Sequence, residues 1–446
     1  MSVAPRLHGR ALPEAASRRG WCPGLTRPMP TGDGLLARVH PPLGVLTLGQ
    51  ARAVAEGARR FGNGHLDLTA RANLQIRGVT EATQASLAAW LSAQGLGDVR
   101  ADGGPQRLTL TSPLAGCDPE EAIDVPGLAR AVEAAGLTIP GLPAKTLVVI
   151  EGRVDRATAE ADCAVIANGP GRIAITIACG EGRQDLLTCG EREAPDVVAA
   201  VLTAFARTGR RRMRDLSEDE RATLTEALRT GERPRVAARG GESLWPGQAR
   251  QPRGGQDLQI LAIDAPFGRC TADALDRLAD AAVTLGADDL RLSPTRGFML
   301  LAPPDVPAAA VREALSVDFI VAADDPRRAI DACTGAPGCA SGSTRTLTDA
   351  ARLAAAFAPL AALGRAAHVS GCAKGCARPG PADLTLVGRD GLYGVVIGGA
   401  PADEPAMHLP IEAVPERLGR AKIVGLSAAF APETTWTDSG RTRRPA

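Results

Sequence analysis

Ten cysteines are spread along the 446 residues, and four of them fall into two close pairs. Cys333 and Cys339 have five residues between them in ACTGAPGCASG, and Cys372 and Cys376 have three between them in HVSGCAKGCARP. Zinc sites use shorter internal spacings, because four ligands must close on one ion. An iron–sulfur cluster accepts wider loops, because its ligands hold the corners of a cube. Gly and Pro crowd both pairs, and small residues let backbone N–H groups come close to sulfur. The pattern predicts a 4Fe-4S cluster on Cys333, Cys339, Cys372 and Cys376. A zinc site or four unligated thiols are the competing readings. Cys22, Cys117, Cys163, Cys179, Cys189 and Cys270 are scattered and show no such spacing.

The elements that position these residues are written in an internal repeat. Residues 34–78 and 257–301 share Pro42/Pro266, Gly44/Gly268, Thr47/Thr271 and Gly62/Gly286, all at one offset of 224 residues. Each copy reads strand, turn, helix, strand. Leu35, Ala37 and Val39 alternate like a half-buried strand. Thr47 with Gln50 fits a capping box, and Val54, Ala58 and Phe61 fall on one helical face. Gly62 suits the left-handed position that ends a helix. In the second copy Leu275, Leu278, Ala282 and Leu285 form the apolar face. A longer mixed region follows each copy, giving an order A–B–A′–B′. The expected boundaries are 18–90, 91–235, 256–315 and 316–446, with a Gly/Pro/Arg-rich linker at 236–255.

Composition narrows the function. Aromatic residues are 3% of the chain and the net charge is +1, so neither a base-stacking platform nor a global field for nucleic acid is present. No apolar run approaches the ~20 residues of a membrane helix, and residues 1–20 lack the apolar core of a secretory signal. A cytoplasmic protein, and a monomer, are expected. GDGLLA at residues 32–37 fits a dinucleotide fingerprint in letters only, since it leads into a strand rather than a helix. The basic run RTGRRRMRD, residues 207–215, reads as a solvated helix end, with carboxylates or an acidic electron donor as alternative partners.

The C-x5-C and SGC-x3-C-x-R-P patterns, the ADLTLVG that follows them and the A–B–A′–B′ order resemble the sulfite and nitrite reductase superfamily. TARANLQIRG, residues 69–78, is similar to that superfamily's macrocycle-binding strand. RRGWCPGL, PMPTGDGLLAR, SPLAG and HVSGCAKGCARP resemble its precorrin-3B synthase family rather than the reductases. The resemblance implies an α+β fold of two ferredoxin-like half-domains alternating with two tetrapyrrole and Fe-S-binding α+β domains. It implies a monooxygenase that takes precorrin-3A and dioxygen, hydroxylates a meso carbon and closes a lactone. It also implies a mononuclear non-haem iron beside the 4Fe-4S cluster, no siroheme, and an external electron donor (NADH through a reductase, or a ferredoxin-like protein). A siroheme-dependent reductase and a non-catalytic tetrapyrrole binder are the alternatives.

A macrocycle rimmed with acetates and propionates needs converging cations, Arg above all. Arg38 lies on the first strand of the repeat. Arg71 and Arg77 are expected on one strand, facing one side with Gln75. Arg107 and Lys145 sit where the resemblance places macrocycle-binding cations, while Leu147 replaces the second lysine of an L-P-x-K-x-K motif. For the mononuclear iron, His40, His65, His368 and Asp67 are candidates by type only.

Overall fold

The computed structural model describes residues 21–154, 160–229 and 258–431; the expected linker and the N-terminal twenty residues lie outside them. The chain divides into two compact units, one built from residues 13–321 and the other centred on residues 322–446.

The larger unit opens with β1 (Met29–Thr31), β2 (Gly34–Val39), β3 (Val45–Thr47), α1 (Leu48–Phe61), β4 (His65–Leu68), β5 (Leu74–Val79) and α2 (Glu81–Ser92). A mixed region follows: β6 (Thr109–Thr111), α3 (Val125–Gly136), β7 (Val148–Glu151), β8 (Cys163–Ala167), β9 (Arg172–Cys179), β10 (Gly182–Gly190), α4 (Ala194–Arg207) and α5 (Glu218–Arg229). The repeat then returns as β11 (Gln259–Asp264), β12 (Arg269–Thr271), α6 (Ala272–Leu285), β13 (Asp289–Ser293), β14 (Gly297–Ala302) and α7 (Ala309–Leu315).

The two copies match turn for turn. Thr47 caps α1 through a full capping box with Gln50, and Thr271 caps α6 by accepting from the Ala274 N–H. Leu43 and Phe267 hold the same left-handed backbone, at φ 53° and 56°, each followed by a left-handed glycine. The apolar faces of α1 and α6 join one core, with Val54, Ala58, Leu275, Leu278, Ala282 and Leu285 all fully buried. Burial on that scale contributes roughly 1.5–3 kcal/mol per large apolar side chain.

The half-domain sheets interleave. One runs β1-β2-β5-β4-β12 and the other β11-β14-β13-β3, so each copy lends its short strand to the other. Arg269, Cys270 and Thr271 pair with Asp67, Leu66 and His65, and Asp289, Leu290 and Arg291 pair with Thr47, Leu46 and Val45.

Three local expectations change. Gly62 is not left-handed; its φ is −122°. It must be glycine because a Cβ there would lie 2.4 Å from the Arg77 carbonyl oxygen and 3.0 Å from that of Ala58. Only Gly286, at φ 70°, ends its helix in the left-handed form. The alternation of Leu35, Ala37 and Val39 is broken by a bulge between Leu35 and Ala37 in the pairing of β2 with β5, which puts Leu36 and Ala37 both in the interior. Arg71 is not on the strand with Arg77, because Ala72 adopts φ 50° and β5 starts only at Leu74.

The smaller unit contains β15 (Ile330–Ala332), α8 (Thr346–Ala361), β16 (Ala367–Ser370), β17 (Ala382–Arg389), β18 (Leu392–Gly399), β19 (Met407–Leu409), α9 (Val414–Val424) and α10 (Leu426–Ala429). Its sheet runs β15-β16-β17-β18-β19, with the first three strands parallel and the rest antiparallel. The sheet β6-β7-β8-β9-β10 of the larger unit has the same order and the same strand directions. The B regions are thus a second structural repeat, each with a helix between its first two strands. Among the described residues no helix is long and apolar enough to cross a membrane.

Candidate functional site

The four paired cysteines lie on two loops at the carboxyl ends of adjacent parallel strands. Ala332, at the end of β15, is in register with Val369 of β16, so the loops that leave these strands are neighbours. Cys333 opens the first loop, and Gly371 and Cys372 open the second. The Gly371 N–H donates to Cys333 Sγ at 3.1 Å. The Thr346 hydroxyl donates to the Cys333 carbonyl at 2.5 Å, and the Cys339 N–H to the Gly335 carbonyl at 2.7 Å.

Glycine is required where these loops touch. A Cβ on Gly371 would come within 3.2 Å of the Cα atoms of both Gly335 and Gly342. On Gly342 it would lie 2.9 Å from the Gly335 carbonyl carbon. The three backbones therefore stack with no room for a side chain, which brings the first cysteine pair against the second loop. Burial raises the Cys372 and Cys376 thiols, and the other cysteine sulfurs add to the shift in both, while Lys374 between the two works against it. A glycine cradle with one cysteine sulfur already accepting a backbone N–H suits the ligand loops of a cube-shaped cluster. Among the described residues no three His, Cys, Asp or Glu side chains converge on a single ion.

The larger unit carries the cations. Arg107 donates to the carbonyls of Pro41 and Ala72, both at 3.0 Å, and to that of Arg71. Arg71 donates to the Lys145 carbonyl at 3.1 Å. With its amide oxygen turned to the guanidinium, Gln75 accepts from Arg38 Nε and Nη2 at 3.0 and 2.6 Å. Among the described residues none of Arg38, Arg71 and Arg107 has a carboxylate partner; every partner is a neutral oxygen. Burial depresses all three; neighbouring guanidiniums add to it at Arg71 and Arg107, while the Asp162 and Glu133 carboxylates work against it there. Arg107 is pushed down to about 10, with Arg71 contributing. Such a cluster concentrates positive charge that an arriving polyanion would neutralise. Lys145 is exposed, and its backbone oxygen accepts from Arg71.

Arg77 differs from the other arginines. It is 3% exposed and ion-paired with Asp33 at 2.6 Å and Asp67 at 3.3 Å. Asp67 in turn takes Arg269 Nε and Nη2 at 2.5 and 2.9 Å. Arg77 is therefore neutralised inside a network that ties β5 to the exchanged strand β12, not a cation presented to a ligand.

The candidate iron ligands do not assemble. Asp67 is occupied by two arginines, and His65 starts the exposed end of β4. His40 is close to Cys22, with Nε2 3.7 Å from Sγ. His368 is fully buried on β16. Among the described residues these four candidates do not form a site that fits a mononuclear iron.

One further cation joins the arginine group. Arg212, in the basic run, is fixed by Asp162, whose carboxylate accepts from Arg212 Nε at 2.9 Å, the Met213 N–H at 3.0 Å and the Leu147 N–H at 3.1 Å. Arg212 stands close enough to Arg71 to depress it.

Known proteins bear on this arrangement. Residues 27–93 match the nitrite/sulfite reductase ferredoxin-like half domain. The chain is 35% identical to a precorrin-3B synthase from Sinorhizobium sp, covering 94% of this chain and 91% of that one. It is 29% identical to a ferredoxin–nitrite reductase from Leptolyngbya laminosa, covering 83% and 79%. In fold it is similar to the structure of Mycobacterium tuberculosis NirA protein, with a TM-score of 0.67 and 21% identity over 90% of this chain and 82% of that one.

Proposed function

This chain belongs to the precorrin-3B synthase family, a branch of the sulfite and nitrite reductase superfamily of oxidoreductases, and from that membership we propose that it oxidises precorrin-3A with dioxygen. The meso carbon between rings A and D gains a hydroxyl, and the ring A acetate closes a lactone. One oxygen atom stays in the product. The other leaves as water with two electrons and two protons from outside.

The observation that carries this reading is the set of guanidiniums with neutral partners only. Arg38, Arg71 and Arg107 are held by carbonyl and amide oxygens, so their positive charge is left for a carboxylated ligand. Carbonyl bonds orient each fork before the ligand arrives, which lowers the ordering cost of binding. Gln75 sets the direction of Arg38, and Lys145 adds a charge at the exposed edge. Arg212, moored by Asp162, extends the same field.

Cys333, Cys339, Cys372 and Cys376 would hold a 4Fe-4S cluster. When bound it supplies single electrons, which dioxygen needs because it is kinetically inert toward closed-shell molecules. The electrons come from an external donor, either NADH through a reductase or a ferredoxin-like protein. Among the described residues no ligand set for a mononuclear iron is assembled. The macrocycle is bound without a central metal, so the protein is proposed to work without siroheme, as a monomer in the cytoplasm.

The test is turnover of precorrin-3A under isotopically labelled dioxygen with a reductant, read by mass spectrometry. One labelled oxygen in the product is expected. Label arriving only from water, or equal turnover without oxygen, would refute the reaction. An intense Soret band in the purified protein, with sulfite or nitrite reduction, would establish a reductase instead.

A further inference from the structure

Thr346 meets Cys333 at two points. Its hydroxyl donates to the Cys333 carbonyl at 2.5 Å, and the same oxygen lies 3.9 Å from Cys333 Sγ, within reach of a hydrogen bond to sulfur. The threonine is fully buried, so bulk water does not compete for its hydrogen. The cysteine loop runs close against it. A Cβ on Gly335 would lie 2.6 Å from the Thr344 carbonyl oxygen and 2.9 Å from the Thr346 nitrogen, and both of those are backbone atoms that cannot swing aside.

The helix that carries Thr346 is anchored one turn further on. Thr346 opens α8, and Asp349 lies three residues later on the same face. The Asp349 carboxylate accepts from the Tyr393 hydroxyl at 2.7 Å, with both residues buried. Tyr393 belongs to β18, so the first turn of α8 is tied to the sheet that carries the ligand loops. Thr346 is therefore held against Cys333 from both sides.

Hydrogen bonds to ligand sulfur stabilise the more negative, reduced form of an iron–sulfur cluster and so raise its potential. The Gly371 N–H supplies one such bond to Cys333 Sγ at 3.1 Å, and its direction is fixed by the backbone. A hydroxyl differs, because its one hydrogen rotates to suit its acceptors. We propose that Thr346 is a positioning residue that sets the reduction potential of the cluster. Its bond to the Cys333 carbonyl keeps Sγ in place for the Gly371 N–H. When one electron from the external donor adds negative charge at the ligand sulfur, the Thr346 hydroxyl hydrogen turns from the carbonyl to Sγ, since bonds to a charged acceptor are the stronger ones. The hydrogen stays on oxygen and no proton is transferred. The proposal rests on the four cysteines holding the cluster.

The experiment loads the full-length protein with iron and sulfide, counts both per chain, and follows reduction by electron paramagnetic resonance against a graded reductant. Thr346→Val keeps the shape and removes the hydroxyl, while Thr346→Ser keeps the hydroxyl and removes the methyl. Thr346→Val is expected to hold full iron and sulfide yet be about tenfold harder to reduce, a shift of about 59 mV to more negative potential for one electron. Thr346→Ser should stay within about threefold of the wild type in the same equilibrium. A contact that only supports the fold would not separate the two potentials at full occupancy. Thr346→Val with a full cluster at the wild-type potential overturns the proposal, as does Thr346→Ser displaced as far as Thr346→Val. Loss of the cluster from Thr346→Val alone would make the hydroxyl a folding contact and also overturn it. The wild type gives a reading that needs no variant. Brief transfer into heavy water exchanges a hydroxyl hydrogen long before the Gly371 amide, so the reduced cluster should couple to a fast-exchanging deuteron, and the absence of that coupling overturns the proposal. A wild type that binds no iron and sulfide would instead remove the cluster itself.

Discussion

Replacing Arg77 with Ala should destabilise the protein without weakening its hold on a carboxylated macrocycle. The guanidinium is 3% exposed and bridges Asp33 and Asp67, which are 18% and 14% exposed. Removing one member of a buried ion pair costs about 3–5 kcal/mol, because a charge is left without its partner. The lower end applies here. Asp67 keeps both bonds from Arg269, and Asp33 keeps those from Thr31 and Asn63. A loss of about 3 kcal/mol in a large domain lowers the melting temperature by roughly 6–10 °C. Arg71→Ala is the contrast: it should leave the melting temperature within about 1–2 °C yet weaken uroporphyrin binding about ten- to a hundredfold, as loss of a charge-assisted hydrogen bond does. The pH dependence sharpens the test. Burial alone would raise the Asp33 carboxyl, but the bonds from Arg77 and Thr31 outweigh it and hold the group below its ordinary value. A carboxylate lowered on folding stabilises above its unfolded pKa of about 3.9, and that contribution is lost as pH falls through the folded value. The stability gap between wild type and Arg77→Ala should therefore be full at pH 7 and shrink below about pH 4. Calorimetry across pH and fluorescence titration with uroporphyrin read the two effects. An Arg77→Ala protein that melts like wild type but loses affinity as Arg71→Ala does would refute the assignment.

Other outcomes follow from the same geometry. Replacing any of Cys333, Cys339, Cys372 or Cys376 with Ser should remove the broad charge-transfer absorbance and the bound iron and sulfide, whereas Cys163→Ser and Cys189→Ser should retain them; full iron and sulfide in Cys372→Ser would exclude it as a ligand. Gly342→Ala should cut iron and sulfide per chain while leaving the larger unit's uroporphyrin affinity intact, because its Cβ would press on the Gly335 backbone at 2.9 Å. Glu121 is pushed up to about 7 by burial, with Asp118, Glu151 and Asp124 adding to it. A carboxyl raised on folding favours the folded state only at low pH and loses that contribution as pH climbs through the folded value. Glu121→Gln should thus raise the melting temperature more at pH 8 than at pH 5, and equal shifts at both would remove Glu121 as the cause.

Local chemistry was legible in the sequence and long-range pairing was not. The Thr47 capping box, the α6 face and the 224-residue repeat all depend on neighbours within a few turns, and the structure contains each of them. Gly62 was identified as special for the wrong reason: the carbonyl it must approach belongs to Arg77, on a strand that only the fold brings near. Arg71 and Arg77 share a six-residue spacing, but a left-handed Ala72 between them breaks the period that would have aligned them. The fate of Arg77 was decided by Asp33 and, through Asp67, by Arg269, which lies 202 positions from Asp67. The B repeat left no matching letters, because its shared order resides in strand directions and not in side chains. The pairing of the cysteines is visible in their spacing, while the three-glycine stack that brings their loops together could be seen only once the strands were placed.

The exchange of β3 and β12 between the half-domain sheets sets an order of events during synthesis. The first sheet lacks its edge strand until residues 269–271 have left the ribosome, although its other strands end at Val79. At about 5–20 residues per second, β4 waits on the order of ten seconds or more with an unpaired edge. Asp67 spends that interval without Arg269, next to Cys270's future place in the ladder. An exposed edge of this kind is where a nascent chain pairs with the wrong neighbour. A chain truncated before residue 269 keeps that edge open permanently, so the first half-domain expressed alone would close its sheet only by borrowing a strand from another molecule.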